Sequence, residues 1–591
     1  MCGIIGYIGK NRASRVLLDG LEKMEYRGYD SSGVCLYNGD KIEIIKSVGK
    51  ISNLKEKINF EETSSYKMGI AHTRWATHGG VSLENAHPHR QGMVTVVHNG
   101  IIENAKELKE KLQLEGYKFT SDTDTEVVSA LLDYYLDDNF LKTIEKAMKE
   151  LIGSYALGIV VEGNKNEIYA VKKDSPLIIG IGSGENFFAS DMVAIASYTK
   201  NFIFLSEGEV AVLRGNQVEV YKHLVKQKKE VKKIDACQDS HEKGGFAHYM
   251  LKEINEEPIL LKELLDPFLE DINLIPDISS YDIIHIVGCG SALYAGMVFK
   301  YLLDEVAECD VLIEVASEYR YRKINYNKKV LVVLISQSGE TADTIAAMRF
   351  AKSNNADTLA IVNVENSTIA KESDKVLFIK AGVEVAVATT KAYILQAALL
   401  SLIALKLCYD KGIIKDISKY LDEYRSIPKL IKGIINKEDN YRKIAKEVYN
   451  SDTAFFIGRK MDYAYSLEGS LKLKEVSYIN ASAYQAGELK HGTISLIDKD
   501  VVVFGILTEK DIISKTLSNV IEVESRGAKI IVITNDNKID YKNKILVPKV
   551  SIFTQGLLVA PVLQLIAYQT ALLRNCNIDQ PKNLAKSVTV E

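Results

Sequence analysis

The sequence predicts an α+β N-terminal part with layered antiparallel sheets and helices, followed by two tandem α/β domains with parallel sheets. Three observations lead to this fold class. The chain has 591 residues, which is too long for one core and suggests about four domains. Short strand-like runs dominate up to about residue 238, whereas strands and helices alternate beyond it. The alternating part also repeats itself.

Short apolar runs bounded by turn residues predict the strands of the first half. They are CGIIGYIG, MVTVVH, SYALGIVVEG, EIYAVKK and FIFLSEGEVAVLRGNQVEVY, the last with a Gly-Asn hairpin signal at 215–216. One helix is predicted from four apolar residues on a shared face, Val16, Leu17, Leu21 and Met24. A second helix runs from about Asn104 to Glu115 and ends at Gly116.

The polar stretch 239–250 with its glycine pair marks a boundary. Beyond it, IIHIVGCGS, KVLVVLISQSGET, DTLAIVNV and KVLFIK alternate with helical stretches, which indicates parallel sheets covered on both faces. The segment from Ile283 resembles the segment from Ala454 in layout, and Gly288 matches Gly458. The predicted divisions are a first domain (1–238), a linker (239–275), two α/β domains (276–440 and 441–580) and a tail (581–591).

Composition excludes several classes of protein. Lys and Arg total 74 against 78 for Asp and Glu. The net charge of -4 therefore provides no positive electrostatic potential for non-specific binding of nucleic acid or an anionic membrane. Seven scattered cysteines with no CxxC pair favour a reducing compartment. No signal-peptide pattern opens the sequence, and the apolar stretch 394–405 is too short to span a bilayer. We therefore expect a cytoplasmic protein with a buried helix at that stretch.

The segment SQSGET, residues 336–341, predicts an anion site in the first α/β copy. It follows an apolar strand and opens a helix, and its backbone N–H groups and hydroxyls suit a phosphate. Because the pattern GxxxxGK[ST] is absent, a sugar phosphate is favoured over a nucleoside triphosphate. A serine-rich helix cap is the plain alternative. In the second copy, Glu509 and Asp511 stand in the matching loop and would repel an anion.

Three further groups of residues in the second half can be explained without a catalytic role. Lys472 and Glu475 lie on a predicted helix, where such a pair is usually a solvated face. His491 alone is more often structural than catalytic. The C-terminal run is by default a frayed tail, and Lys586 gains interest only if that tail folds over the anion site.

Cys2 is the candidate nucleophile of the first half. Once Met1 is removed, this residue carries a thiol and a free α-amino group, so that one residue holds a nucleophile and a base. Arg74 in HTRWATHG can fork onto a carboxylate, and Asn99 with Gly100 in HNG can stabilise an oxyanion. Asp124 in SDTDTE can hold an ammonium group, although a strand-ending turn and a helix cap explain the last two motifs equally simply.

Five of the ten histidines fall in this region, at 72, 78, 87, 89 and 98. Their spacing matches no strong ligand signature, so we expect neither a metal nor another cofactor.

The motifs together resemble a known family along the whole chain. MCGIIGYIG, EYRGYDSSG, AHTRWATHGG, HNGIIEN and SDTDTE resemble the glutaminase domain of amidotransferases with an N-terminal nucleophile. SQSGETADT, SLKLKEVSYINA, AGELKHG and LAKSVTVE resemble the sugar isomerase (SIS) domains of the glutamine–fructose-6-phosphate aminotransferases. The fold class then becomes an N-terminal-nucleophile glutaminase domain and two tandem sugar isomerase domains.

The resemblance implies roles for individual residues. Cys2 attacks the side-chain amide of glutamine, and Asn99 with Gly100 stabilises the oxyanion. Glutamine is bound by Arg27, Arg74, Trp75, His78 and Asp124, with Trp75 similar to the gate of an ammonia channel. The sugar phosphate is bound by Ser291, Ser336, Gln337, Ser338 and Thr341. Lys586 forms a Schiff base, Glu475 moves the proton, Lys472 assists, and His491 opens the sugar ring, from a partner subunit of a homodimer.

The implied reaction converts glutamine and fructose 6-phosphate to glutamate and glucosamine 6-phosphate, the first step towards UDP-N-acetylglucosamine. Three positions depart from the family pattern. Ala292 replaces a second hydroxyl, Ala247 a frequent basic residue and Thr493 a frequent proline.

Three other functions make different predictions about the sequence. An amidophosphoribosyltransferase would need paired acidic residues and a diphosphate loop, and a synthetase would need an adenylating SGGxDS loop. Neither motif is evident. A non-catalytic sugar-phosphate sensor predicts loss of Cys2, Glu475 or Lys586, but the sequence has all three.

Overall fold

The computed structural model describes residues 2–76, 79–234, 243–307, 309–323 and 328–588. The chain divides into two compact units, the first comprising Met1–Ser240 with Ser587–Glu591 and the second His241–Lys586. The predicted border after residue 238 lies outside the described residues.

The first unit consists of fifteen described strands and five described α-helices. The strands are β1 (Gly3–Gly9), β2 (Ser31–Tyr37), β3 (Ile42–Val48), β4 (Met68–Arg74), β5 (His89–Gln91), β6 (Val94–Ile102), β7 (Gly153–Val161), β8 (Ile168–Lys173), β9 (Ile178–Ile181), β10 (Glu185–Ala189), β11 (Asn201–Phe204), β12 (Val210–Arg214), β13 (Gln217–Lys222), β14 (Val225–Gln227) and β15 (Lys232–Lys233). The helices are α1 (Ala13–Met24), α2 (Ile51–Lys57), α3 (Ala105–Leu114), α4 (Asp124–Tyr134) and α5 (Phe140–Glu150).

These strands form two antiparallel sheets, ordered β15-β11-β9-β10-β1-β4-β2-β3 and β14-β13-β12-β8-β7-β6-β5. An apolar layer that includes Ile4, Ile70, Val97 and Ala156 lies between them. The predicted hairpin is confirmed, because Arg214 pairs with Gln217 across the two-residue turn 215–216.

Both helices predicted in the first half are confirmed. The four apolar residues of the first one are all buried on α1, and α3 ends two residues before Gly116. The structure adds α2, α4 and α5, of which α4 begins at the SDTDTE motif that also allowed a helix cap.

The second unit contains the remaining described elements. Its strands are β16 (Ile283–Gly288), β17 (Asp310–Val315), β18 (Val330–Ser336), β19 (Asp357–Val362), β20 (Lys375–Phe378), β21 (Thr453–Gly458), β22 (Asn480–Gln485), β23 (Val502–Leu507), β24 (Lys529–Thr534) and β25 (Lys544–Leu546). Its helices are α6 (Tyr249–Glu270), α7 (Gly290–Val306), α8 (Ala316–Tyr319), α9 (Ala342–Ser353), α10 (Thr368–Glu372), α11 (Lys391–Asp410), α12 (Ser418–Ile435), α13 (Glu438–Val448), α14 (Met461–Ser477), α15 (Ile513–Glu524) and α16 (Gln555–Leu573).

The internal repeat is confirmed by two parallel sheets of the same strand order, β17-β16-β18-β19-β20 and β22-β21-β23-β24-β25. β16 and β21 begin 170 residues apart, at Ile283 and Thr453. One apolar core runs through both repeats of the second unit.

Two helices in the described part of the chain are long and apolar enough to cross a membrane, α11 and α16. Their most apolar windows are 94% and 89% buried within the protein, which is typical of core helices. The prediction of a buried helix at 394–405 is confirmed by α11.

Candidate active sites

Cys2 lies directly before β1, the strand at the middle of its sheet. Its Sγ accepts a hydrogen bond from Trp75 N at 3.2 Å and lies 3.4 Å from Trp75 O. Burial raises the pKa of the Cys2 thiol above its ordinary value. The resting thiol is therefore mostly protonated, and attack on a substrate requires a base.

Asn99 and Gly100 lie on β6, and the structure brings the Asn99 amide to Cys2. Asn99 Nδ2 donates to Cys2 O at 3.0 Å, and its side chain is buried. Gly100 has a φ of +133°, and a Cβ there would lie 2.0 Å from Ser154 O. Only glycine fits this position, so the backbone can approach a substrate without a side chain in between.

Arg74 and Trp75 follow each other at the end of β4. The Arg74 guanidinium donates to Gly79 O and Gly80 O, both at 3.1 Å, so it braces the loop behind β4. Trp75 presents its ring to the edge of Tyr29, with centroids 6.1 Å apart.

Asp124 is the first residue of α4 and lies 8% exposed. Its Oδ2 accepts a hydrogen bond from Ile102 N at 2.9 Å, which attaches the helix start to β6. Burial raises the pKa of Cys2 and lowers that of Arg74, and the charge of Asp124 acts on both groups, so the three share one neighbourhood.

Two more residues, Arg27 and His78, are implied to bind glutamine. Arg27 ends a 3-10 helix and pairs with Asp191 at 3.0 Å. His78 lies outside the described residues. Among the residues that the structure describes, no group of three or more His, Cys, Asp or Glu side chains could hold a metal.

The SQSGET segment forms the loop between β18 and α9. Ser336 Oγ accepts from Gly339 N at 3.0 Å and lies 2.9 Å from Thr341 Oγ1. Gly339 has a φ of +66°, and a Cβ there would lie 2.0 Å from Ser367 Oγ. The loop is thus tightly built, and Gln337 and Ser338 are partly exposed on it.

The matching loop of the second repeat has a different arrangement. Asp462, on the first turn of α14, accepts hydrogen bonds from Thr508 N at 2.8 Å and Glu509 N at 3.1 Å. It also accepts one from the Thr508 hydroxyl. A carboxylate of the chain itself therefore binds the backbone donors at this strand end.

Lys472 and Glu475 form the centre of a buried cluster on α14, so a wholly solvated face is the wrong interpretation of this pair. Lys472 Nζ lies 2.6 Å from Glu475 Oε2 and 3.6 Å from Glu468 Oε1, and its side chain is 1% exposed. Although burial opposes its charge, the two glutamates raise the pKa of Lys472. Burial raises the pKa of Glu468 to about 7.

Ser291, at the start of α7, belongs to this cluster. Its hydroxyl donates to Glu468 Oε1 at 3.1 Å.

Lys586 is held in the fold, so the frayed-tail interpretation is wrong for this residue. Its side chain is 6% exposed and its Nζ forms an ion pair with Glu384. The same ammonium donates to Ala386 O at 2.9 Å. Glu384 also accepts from Thr390 N at 3.0 Å. Although burial opposes its charge, Lys586 keeps the pKa of Glu384 below its ordinary value.

His491 is exposed at the end of a 3-10 helix, and its backbone N donates to Glu488 O at 2.9 Å. In the described part of the chain, its side chain forms no hydrogen bond or ion pair with Lys472 or Lys586.

Sequence reasoning missed Glu468 and Glu384. Glu468 stands four residues before Lys472 in SLEGSLKLKE, a helical spacing that could have revealed it. Glu384 lies in the loop before α11, where no motif or periodicity indicates it.

The fold and the two sites define a class of protein: an amidotransferase that joins a cysteine glutaminase unit to a sugar isomerase unit. Two sequence profiles match the chain, a glutamine amidotransferase domain over residues 80–197 and a SIS domain over residues 277–406 and 447–574. Relatives named glutamine–fructose-6-phosphate aminotransferase [isomerizing] are similar over their whole length and the whole of this chain. They include those of Caldanaerobacter subterraneus subsp. tengcongensis at 42% identity and Clostridium tetani at 43%.

A solved structure is similar to the second unit. The C-terminal domain of glucosamine-fructose-6-phosphate aminotransferase from Francisella tularensis matches with a TM-score of 0.54 and 35% identity. The match covers 57% of this chain and 99% of that chain. The chain belongs to the glutamine–fructose-6-phosphate aminotransferase family, so the predicted resemblance and fold class are confirmed.

Proposed function

We propose that this protein converts glutamine and fructose 6-phosphate to glutamate and glucosamine 6-phosphate, and passes the ammonia internally between its two sites. The observation that carries the proposal is the joint presence of two reactive centres in one chain. Cys2 lies beside the Asn99 amide in the first unit. Lys586 is held by Glu384 in the second unit, together with the buried Lys472–Glu475 pair.

In the first step, the Cys2 thiol loses its proton to the α-amino group and attacks the carboxamide carbon of glutamine. The oxygen becomes an oxyanion, which the Asn99 amide and the Gly100 N–H stabilise. Ammonia leaves with a proton, and water hydrolyses the thioester to glutamate. Arg74 and Asp124 bind the α-carboxylate and α-amino groups, with Arg27, Trp75 and His78 completing the pocket.

In the second step, Ser336, Gln337, Ser338 and Thr341 bind the phosphate of fructose 6-phosphate, and Ser291 supplies a further hydroxyl. His491 of a partner subunit opens the ring. Lys586 condenses with the C2 carbonyl and releases water, and ammonia then displaces the lysine and leaves an imine at C2. Glu475 removes a proton from C1 and returns one to C2, which yields the amino aldose. Lys472 supports Glu475 through their 2.6 Å ion pair.

The organisation of the chain follows from these roles. The glutaminase domain covers 1–238, the linker 239–275, and the phosphate-binding and catalytic isomerase domains 276–440 and 441–580. The tail 581–591 supplies Lys586. Because His491 acts across an interface, the functional form is a homodimer. The scattered cysteines favour the cytoplasm, and no nucleic acid or membrane takes part.

Product analysis with purified protein, glutamine and fructose 6-phosphate tests the proposal. Equimolar glutamate and glucosamine 6-phosphate are expected with a chelator present. Glutamate without the amino sugar would show that the acceptor is wrong. The variant Cys2→Ala should abolish glutamine use while calorimetry still detects fructose 6-phosphate binding. Collapse of that binding in a folded variant would contradict the division into two sites.

A further inference from the structure

In the described part of the chain, the edge of β6 that faces away from β7 contacts side chains rather than a strand after residue 96. β5 pairs only with residues 94–96 of β6. On the other edge β7 pairs with the strand along its whole length. Backbone groups of β6 that point away from β7 therefore need other partners, because buried carbonyl and N–H groups are almost always paired.

Two such partners lie on either side of the proposed oxyanion position. His98 O is bonded by His72 Nε2 at 3.1 Å, and Ile102 N donates to Asp124 Oδ2 at 2.9 Å. In an extended strand the carbonyl of residue 98 and the N–H groups of residues 100 and 102 face the same edge. The Gly100 N–H thus faces the edge between two side-chain attachments.

The His72 ring is fixed in one protonation state by its surroundings. A carbonyl only accepts, so Nε2 carries the proton, and Nδ1 has no hydrogen-bond partner among the described residues. The side chain is fully buried and stacks on His87 with ring centroids 4.0 Å apart. Burial lowers the pKa of His72 well below its ordinary value, which keeps the ring neutral.

The bond joins the two sheets at the glutaminase site. His72 lies on β4, two residues before Arg74 and paired with Ile4 of β1, the strand that Cys2 precedes. His98 lies on β6, directly before Asn99. The strands that carry the nucleophile and the oxyanion donors are therefore connected by one neutral imidazole.

We propose that His72 is a positioning residue for glutamine hydrolysis, which fixes the β6 edge so that Asn99 and the Gly100 N–H meet the developing oxyanion. This inference rests on the proposed glutaminase function. His72 does not touch the substrate; it acts through the His98 carbonyl, as outer hydrogen bonds commonly orient the groups that do.

A matched pair of variants separates the hydrogen bond from packing. His72→Gln keeps an amide donor at about the position of Nε2, whereas His72→Met has a similar length and no donor. We expect kcat for glutamate release to fall about 10- to 100-fold in His72→Met, less than or comparable to loss of one direct oxyanion donor. KM for glutamine should change little, and His72→Gln should recover most of the rate.

A second readout reports the oxyanion directly. Glutamate γ-semialdehyde adds to the Cys2 thiol, and its aldehyde oxygen then occupies the oxyanion position. Its affinity should fall in parallel with kcat, while glutamate affinity stays unchanged. His87→Leu is the control for packing, since it alters the stacked ring and leaves the bond to His98 O; it should stay within about 3-fold of wild type.

The outcomes are distinguishable. Equal losses in His87→Leu and His72→Met, or a loss of kcat without loss of aldehyde affinity, would overturn the inference. If His72→Met does not fold, a folded His72→Gln with reduced aldehyde affinity would overturn it, and retained affinity supports it. Wild-type protein that releases no glutamate would instead refute the proposed function. Calorimetry of fructose 6-phosphate binding checks that the second unit is intact in each variant.

Discussion

The two SIS repeats share a strand order but differ in the loop that follows their central strand, β18 in the first repeat and β23 in the second. In the first repeat, the loop after β18 holds its hydroxyls together and has Ala292 on the first turn of the preceding helix. In the second, the equivalent position, 170 residues further on, is Asp462. Its carboxylate binds the N–H groups of Thr508 and Glu509. The two repeats therefore differ in whether a carboxylate on the first turn of this helix binds the backbone donors at the strand end.

The comparison shows how a duplicated unit can divide labour. In the second repeat, Asp462 accepts the hydrogen bonds of the backbone N–H groups at the strand end. The following turns of α14 carry the buried Lys472–Glu475 ion pair. The sequence suggested repulsion by Glu509 and Asp511 as the reason that this copy would not bind phosphate. The structure adds a direct occupant of the backbone donors, Asp462.

The largest expected effect comes from Lys586, which neither repeat supplies. Lys586→Met should lower amino-sugar formation by at least about 1000-fold, because the variant lacks the amine that we propose to form the Schiff base. Borohydride in the presence of fructose 6-phosphate should label wild type and not the variant. Lys582→Met, on the same tail, is the control and should retain the label. A label that persists in Lys586→Met would refute the assignment.

A carboxylate at position 292 should give the first repeat the same strand-end arrangement as the second, where Asp462 stands. Ala292→Asp should weaken fructose 6-phosphate binding by about 100-fold, because a carboxylate within a few ångströms repels the phosphate. Calorimetry measures the change. Ala292→Asn has a similar size without the charge and should bind much more tightly than the Asp variant; equal losses would indicate a steric cause.

The reciprocal change tests the role of Asp462. Asp462→Ala leaves three donors of residues 508 and 509 without their acceptor. The free energy of unfolding should fall by about 2–4 kcal/mol, measured by denaturant titration. Asp462→Asn retains an acceptor oxygen and should lose less. A variant as stable as wild type would show that water replaces the carboxylate without loss.

The smallest effect concerns Glu468, which connects Ser291 of the first repeat to Lys472 of the second. Burial raises its pKa from 4.5 to about 7, so the folded state binds the proton more tightly than the unfolded state. The stabilising contribution is present below pH 4.5 and is lost as the pH rises through 7. Wild type should therefore lose about 1–3 kcal/mol relative to Glu468→Gln between pH 4.5 and 8, measured by denaturant titration. A difference independent of pH would contradict this.

Local patterns predicted most of the fold, because they depend on neighbouring residues alone. The turn at 215–216 and the apolar face of α1 needed no distant contacts. Motifs likewise predict Cys2 as the candidate nucleophile and the hydroxyl-rich loop as the candidate phosphate site. By contrast, the contacts of Glu384 with Lys586 and of Asp462 with Thr508 join residues 202 and 46 positions apart. Such pairs depend on how loops meet in space, which no spacing rule in one sequence encodes.

The geometry of the SQSGET loop also guides the design of variant libraries at the proposed phosphate site. Gly339 has no room for any side chain, since a Cβ would collide with Ser367 Oγ. Randomising this codon would fill a library with misfolded members. Gln337 is partly exposed on the same loop, whereas the Ser338 hydroxyl accepts a hydrogen bond from Glu340 N at 3.1 Å and so supports the loop backbone. Screening effort is therefore best concentrated on the Gln337 codon, with the Ser338 and Gly339 codons left constant.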